Sequence, residues 1–381
     1  MDTLAFGRRP RLKQTVQMNI VDDTICLRAS AKTTSIKGDI EPLKRLLSLM
    51  DGSRDLHSLI DALRSEFPNV SREDVLETVE GLDSLFLLED AGQANSVLSD
   101  YDVARWHRNI NFFGSFCRIG QDKYELQARI KQAKVTVLGL GGLGSHLVYD
   151  LAAMGVMDIQ AVEFDRVEIS NLNRQILYNE EDIGRLKSEV AVERMKRFSP
   201  NLKLQVIQRQ IEGVDDVLAA IRGRDVVLCV ADRPKMEIHD WVNEACMREG
   251  IPLLSGGLET QMARYFTIIP GESGCLACWR RQVQAQDEFS DALLSEQRRT
   301  QLRGDNAAFV SLVAFIASMM LAEFTKIITG IAAPVALGKT KEIDFKSMDV
   351  YTGEEWTLDP ECPVCKHCHS SGTTRYLAEA V

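Results

Sequence analysis

The chain has no excess of basic residues: 45 Lys and Arg face 55 Asp and Glu, for a formal net charge of −10. That balance argues against a broad nucleic-acid surface. No apolar run follows the basic residues of Met1–Pro10, so no secretory signal is evident and the cytoplasm is the expected compartment. A full membrane span is also missing. Ala307–Ala322 carries only Ser as polar residues, but it falls short of the roughly 20 apolar residues a spanning helix needs. Glu323 and Lys326 interrupt its extension, so a buried core or interface helix is expected there, with no membrane partner. Nine cysteines without a secretory signal point to reduced thiols and a metal, not a disulfide framework. There is no internal repeat and no low-complexity tract. The apolar fraction of 45% and charged fraction of 26% are those of an ordinary globular protein with room for two or three domains.

Residues 1–90 read as a separate small domain. Thr15–Ile20, Thr24–Leu27 and Thr33–Ile36 are short strand-like runs. Helices are expected over Ile40–Met50 and along the stripe Leu56, Leu59, Ile60, Leu63 and Phe67. A third begins at Ser71, which can cap, with Asp74 in its acidic first turn and Val75, Val79 and Leu82 on its apolar face. Phe86–Leu88 closes the module as a strand, giving a winged-helix-like order. Residues 91–120 open as a polar linker, and Arg105–Gly120 is mixed aromatic and basic. Over residues 121–381 the pattern changes. Val135–Leu138, Ile159–Val162, Leu204–Gln208, Val226–Val230 and Pro252–Leu254 are apolar runs of strand length, most of them separated by helical segments. The expected fold is α/β, a Rossmann-like open and mostly parallel sheet.

The chemistry lies in motifs at fixed distances within that sheet. Gly139, Gly141 and Gly144 form a G-x-G-x-x-G turn between the first strand and a helix over Ser145–Met154. Glycine lets the backbone approach phosphate, and the helix N-terminus offers free N–H groups to it. Glu163 ends the second strand, where a carboxylate can hold ribose hydroxyls. Alone, this pattern favours a dinucleotide enzyme. Asn171, Arg174 and Gln175 then follow in a polar loop, with Lys187 after them. Hydride transfer has no use for these groups, whereas a triphosphate under attack needs cations for the charge growing on its phosphoryl oxygens. Asp232 follows the apolar strand Val226–Val230, at the sheet edge where a carboxylate can hold Mg²⁺.

Together the motifs Gly139–Ser145, Glu163–Asp165, Asn171–Gln175, Lys187 and Asp232 resemble the adenylation domain of the ThiF/MoeB/ubiquitin-activating (E1-like) family. The resemblance covers about Tyr101 to Cys365. It implies ATP and Mg²⁺, with Gly139, Gly141, Gly142, Gly144, Glu163, Asp165 and Asn171 as nucleotide-binding residues. Arg174, Lys187 and Asp232 become the candidate catalytic residues: the first two on the phosphates, with Asn171, and Asp232 on Mg²⁺ or beside the attacking carboxylate. The family's Arg-aromatic-x-Arg motif matches Arg105-Trp106-His107-Arg108. Its second Arg reaches the phosphates of the other subunit's ATP, so Arg108 is the fourth candidate, residues 91–120 include a dimer arm, and a homodimer is implied. The family usually has Asp where this chain has Glu163, one methylene longer.

Cys275-Leu-Ala-Cys278 and Cys362-Pro-Val-Cys365 are two thiolate pairs of matching spacing, 83 residues apart. Four thiolates suit a closed structural Zn²⁺ site that staples a C-terminal segment to the core. Cys365, Cys368 and His369 match the haem pattern C-x-x-C-H, a reading rejected because Cys365 serves better as a zinc ligand. Cys368 is then surplus, or a substitute ligand. Arg280–Asp305 corresponds to the family's crossover loop and contains no cysteine. Cys229 and Cys246 are expected in the core, so a thioester relay is not expected. Arg280, Arg281, Arg298, Arg299 and Arg303 of that loop either hold a substrate or form a solvated face.

The N-terminal module sets the chain apart from sulfur-carrier adenylation enzymes. It resembles the PqqD-like peptide-recognition elements that bind a leader peptide as an added strand. Thr33–Ile36 and the helix Leu56–Phe67 would flank the groove. The module has no basic recognition helix, which disfavours DNA. The combination resembles the ribosomal-peptide-maturing branch of the E1-like family, of the pantocin A type. That implies activation of glutamate side-chain carboxylates in a precursor peptide, driving dehydration and cyclisation. The alternative is activation of a C-terminal carboxylate, as in microcin or sulfur-carrier chemistry. A non-catalytic leader-binding partner is the reading from a different class, and Arg174, Lys187 and Asp232 argue against it.

Overall fold

A computed structural model describes residues 7–29, 31–235, 237–286, 292, 296, 307–366 and 368. The chain divides into two units, Met1–Ala128 and Arg129–Val381.

In the first unit, β1 (Pro10–Leu12) is followed by three strands, β2 (Gln17–Val21), β3 (Thr24–Ala29) and β4 (Lys32–Lys37), which form an antiparallel sheet in that order. Strand alternation turns Ile25 and Leu27 of central β3 fully inward, and both edge strands are largely exposed. Helices α1 (Ile40–Leu49), α2 (Leu56–Glu66) and α3 (Arg72–Ser84) close the core with Leu46, Leu59, Leu63, Val75 and Val79 at helical spacing. Ser71 and Asp74 form a reciprocal capping box, which fixes where α3 starts. β5 (Leu88–Asp90) pairs antiparallel with β1, a contact between segments 78 residues apart that the sequence did not suggest.

The stretch read as linker and arm contains a helix, α4 (Asp100–Gly114), opened by a second capping box at Ser99 and Asp102. Two polar anchors tie its end to the rest of the unit. Buried Lys13 donates from Nζ to the carbonyls of Phe86 at 2.7 Å and Cys117 at 2.8 Å. Buried Asp83 of α3 accepts from Ile119 N at 2.7 Å and from Arg118 Nε at 3.1 Å. The division between the units falls inside α5 (Lys123–Gln132).

The second unit is built on an eight-stranded sheet. Its strands are β6 (Lys134–Leu138), β7 (Asp158–Val162), β8 (Lys203–Ile207), β9 (Val226–Cys229), β10 (Leu253–Glu259), β11 (Met262–Ile268), β12 (Lys339–Asp344) and β13 (Val350–Glu355), in the order β13-β12-β11-β10-β9-β6-β7-β8. From β8 to β10 neighbours are parallel, and from β10 to β13 antiparallel. The apolar runs that identify β6, β7 and β9 are buried on both faces, as parallel strands are. Crossovers α6 (Gly142–Met154), α7 (Lys187–Phe198), α8 (Val214–Ile221) and α9 (Glu237–Glu249) join the parallel strands, and α10 (Leu276–Gln286) follows β11. Chain order reverses at β6, which has β7 on one side and β9 on the other. Open α/β sheets bind ligands at that crevice, beyond the carboxyl ends of the strands.

The apolar helix α11 (Val310–Thr329) is long and apolar enough to cross a membrane by length and composition, but it packs on α6, β10 and β11. Glu323 shows why it belongs inside protein. It is 1% exposed, and its carboxylate accepts from Lys326 Nζ at 2.7 Å, Ala336 N at 2.9 Å and Val335 N at 3.1 Å. The charge is buried because its acceptor sites are filled.

Candidate functional site

The turn from β6 into α6 is held by its own backbone. Gly139 takes φ of +94°, and a Cβ there would stand 3.2 Å from the backbone of Ala231, the residue before Asp232. At Gly144 a Cβ would stand 1.9 Å from the Gly139 carbonyl oxygen, so only glycine lets α6 lie this close to the strand. Gly141 differs. It caps α6 without a side-chain hydrogen bond, and a Cβ there would meet only Gln175 Nε2, at 3.9 Å. Space and unsatisfied N–H groups of a helix N-terminus are therefore left together, the arrangement that binds phosphate.

Residues from the polar loop fasten this turn. Tyr178 donates its hydroxyl to the Leu140 carbonyl at 2.9 Å, and Leu140 N donates to Glu163 Oε2 at 2.8 Å. Burial pushes the Tyr178 hydroxyl pKa well up, so it remains a donor. Glu163 Oε1 accepts from Phe164 N at 2.7 Å and Asp165 N at 2.8 Å. Lys187 opens α7 while buried, with Nζ 3.4 Å from Asp165 Oδ2 and its own N–H on the Asp165 carbonyl at 3.0 Å. Asn171 is buried and caps a short 3₁₀ turn, accepting from Glu168 N at 3.1 Å. Arg174 runs its stem along the start of α6, 3.4 Å from where a Gly142 Cβ would lie, and donates to the Ser170 carbonyl.

Hydrogen bonds thus join the glycine turn, Glu163, Asp165 and Lys187, Arg174 lies against the start of α6, and Asp232 is exposed three residues beyond β9. No hydrogen bond or ion pair engages the Asp232 carboxylate among the described residues, which leaves it open to a cation. Arg108 lies in the other unit, exposed on α4.

Two further groups had no role assigned from the sequence. Gln175 is 4% exposed, and its Oε1 has no hydrogen-bond partner among the described residues. Its place in the polar motif was the available signal. His239, in the first turn of α9, is held neutral by burial and by Arg280 and Arg264, with Asp232 opposing them. Nothing in its local sequence marks it.

The four motif cysteines converge. Cys275, Cys278, Cys362 and Cys365 are all buried, with their sulfurs within 4.8 Å of one another. Neighbouring sulfurs lie 3.9 Å (Cys275–Cys278), 3.7 Å (Cys275–Cys362) and 3.3 Å (Cys278–Cys365) apart. Sulfurs about 2.3 Å from a central Zn²⁺ in a tetrahedron would stand at such separations, so the residues fit the metal. Hydrogen bonds from Cys275 and from the Asp359 N–H lower the Cys278 thiol, while Cys275, which donates to it, and Cys365 are raised, so the first proton leaves the cluster at Cys278. Cys368 is not a substitute ligand: its thiol donates to the Met247 carbonyl at 3.1 Å. His369 lies outside the described residues. Cys229 and Cys246 are fully buried, and burial pushes Cys229 up to about 12, as suits inert core thiols. Of the crossover-loop arginines, Arg280 pairs with Asp240 and Arg281 with Asp359 at 2.5 Å. Arg298, Arg299 and Arg303 lie outside the described residues.

The model of the ThiF family matches residues 108–364. This chain belongs to the ThiF family. It is 31% identical over 250 residues to the sulfur carrier protein adenylyltransferase of Thermus thermophilus, covering 63% of this chain and 85% of the relative. With the molybdopterin-synthase adenylyltransferase of Escherichia coli it shares 27% identity, covering 70% and 98%. Such adenylyltransferase relatives indicate an ATP-dependent enzyme. Among solved structures, E. coli MccB with ATP superposes with a TM-score of 0.75 at 22% identity, over 94% of this chain and 99% of that one. PaaA superposes with a TM-score of 0.69 at 20% identity, over 91% and 100%. These establish the E1-like adenylation fold of this ThiF-family chain.

Proposed function

We propose that this ThiF-family chain uses ATP and Mg²⁺ to activate glutamate side-chain carboxylates in a ribosomally made precursor peptide, driving dehydration and cyclisation as in pantocin A-type biosynthesis. One observation carries the reading. The sulfur-carrier and molybdopterin-synthase relatives account for 63% and 70% of this chain, whereas MccB and PaaA account for 94% and 91%. MccB is described as a microcin C7 biosynthetic enzyme in complex with N-formylated MccA, and the extra coverage supports placing this chain in the same branch.

In this reading the N-terminal unit, residues 1–90, binds the leader as a strand added to an exposed edge, and residues 121–381 carry out the activation. The N-terminus of α6 with Gly139, Gly141, Gly142 and Gly144 cradles the phosphates, and Asp165 and Asn171 shape the loop beside them. Arg174 and Lys187 stabilise the charge that grows as a carboxylate oxygen attacks phosphorus, with pyrophosphate departing if the acyl-adenylate forms and ADP departing if the acyl-phosphate forms. Asp232 would hold Mg²⁺, which would supply positive charge to neutralise the phosphate oxygens. A backbone nitrogen of the peptide then attacks the activated carbonyl, and the former carboxylate oxygen leaves on AMP or phosphate. Arg108 serves the other subunit of a homodimer. Zn²⁺ on the four cysteines is structural.

The test is incubation with ATP, Mg²⁺ and a glutamate-containing precursor peptide encoded beside the gene, followed by mass spectrometry of peptide and nucleotide. Loss of water from the peptide supports the reading, and AMP or ADP identifies the intermediate. An unchanged peptide, with AMP formed only on a carrier protein ending in Gly-Gly, would instead establish C-terminal carboxylate activation. The adenylyltransferases among the relatives favour that second reading.

A further inference from the structure

Glu163 occupies the position where a nucleotide-binding α/β sheet offers a carboxylate to the ribose. Its hydrogen bonds point to another use. Oε1 accepts two backbone N–H groups, from Phe164 at 2.7 Å and Asp165 at 2.8 Å, and Oε2 accepts a third, from Leu140 at 2.8 Å. A carboxylate has about four lone-pair directions. Three are filled by short, charge-assisted bonds of the stronger class. The side chain is 6% exposed, so little of it is open to an incoming ligand. A ribose diol gripped through both oxygens would have to displace backbone donors that have no other described acceptor.

The three donors belong to two different turns. Leu140 sits inside the glycine-rich turn and is fully buried, while Phe164 and Asp165 lead from β7 toward the carbonyl that receives Lys187 N at 3.0 Å. Glu163 therefore locks the phosphate-binding turn to the segment that carries Asp165.

We infer that Glu163 is a positioning residue for the glycine-rich turn rather than a ribose ligand, and that this site consequently accepts 2′-deoxy-ATP in place of ATP. The inference rests on the proposed use of ATP. At most one lone pair remains for the sugar, and one charge-assisted hydrogen bond to a carboxylate is worth at most about 150-fold. A site built to bond a substrate hydroxyl rejects the analogue lacking it by factors of about 10⁴ or more.

The experiment compares kcat/KM for ATP and 2′-deoxy-ATP in the peptide-dependent reaction, for the full-length parent and for Glu163→Gln. The parent is expected to use the two within about 150-fold of each other. Glu163→Gln is expected to raise KM for both nucleotides by the same factor, because an amide facing three donors loosens the turn without touching the sugar. Discrimination well beyond about 150-fold in the parent, or an ATP preference that collapses in the variant, overturns the inference. The parent comparison stands even where the variant does not fold. Failure to use either nucleotide overturns the adenylation reading itself, and this inference with it.

Discussion

Gly144→Ala tests the construction of the nucleotide turn. The added Cβ would stand 1.9 Å from the Gly139 carbonyl oxygen and 2.8 Å from its carbon, both backbone atoms that no rotamer can move aside. A carbon–oxygen contact settles at about 3.3 Å or more, so the turn must open by roughly 1.4 Å. Overpacking costs about 1–3 kcal/mol, and a clash with backbone belongs at the upper end, about 3 kcal/mol. In a unit of this size each kcal/mol moves Tm by about 2–4 °C, giving a fall of about 6–12 °C. Displacing the phosphate-facing N–H groups by about 1 Å should also reduce nucleotide turnover by about 100-fold. The assays are calorimetric melting and ATP turnover with peptide. Gly81→Ala is the control: it lies inside α3 with nothing within 4 Å of the new Cβ and should gain about 0.5–1 kcal/mol. A Gly144→Ala protein that melts within about 2 °C of the parent and turns over within about threefold would refute the close-packed turn.

Three other outcomes follow from the same physics. Arg174→Ala and Asp232→Ala should each cut nucleotide turnover by about 10²–10³-fold while leaving Tm unchanged, since neither side chain is buried; full turnover by the Asp232 variant would remove it from the site. Metal analysis should find about one zinc per chain, lost with stability in Cys362→Ser but retained in Cys368→Ser, because the Cys368 thiol is turned to Met247. Glu323→Ala strands two backbone N–H groups and Lys326 and should cost about 3–5 kcal/mol in denaturant unfolding; a loss under about 1 kcal/mol would show that the buried carboxylate stabilises nothing.

The parallel half of the sheet was legible because fully buried strands write themselves as apolar runs, and β6, β7 and β9 do so. The cap of α3 was legible, since a capping box is local chemistry: Ser71 and Asp74 fall where expected. What escaped depends on distant partners. β1 and β5 are three residues each and become strands only by pairing across the N-terminal unit. α4 hid in a mixed stretch because its outer face keeps Tyr101 and Phe112 exposed, which blurs the apolar stripe. Beyond β10, whose start was read at Pro252–Leu254, strands β11 to β13 carry alternating or polar residues rather than apolar runs. Within the site the residue types were readable, but not their commitments. Glu163 looks like a ligand in the sequence because its three N–H partners are defined only once the two turns meet. Cys368 had no readable partner because Met247 lies 121 residues away.

The anchors at Lys13 and Asp83 bear on how such proteins can be recombined. The polar stretch after β5 invites a cut when one N-terminal module is exchanged for another. A crossover there would part Lys13 from the Cys117 carbonyl and Asp83 from Ile119 and Arg118, leaving a buried cation and a buried anion short of partners in the chimera. A viable exchange has to run through to the end of the first unit at Ala128. Arg108 then travels with the donor's module, so the N-terminal sheet and the helix that carries this arginine are inherited as one piece.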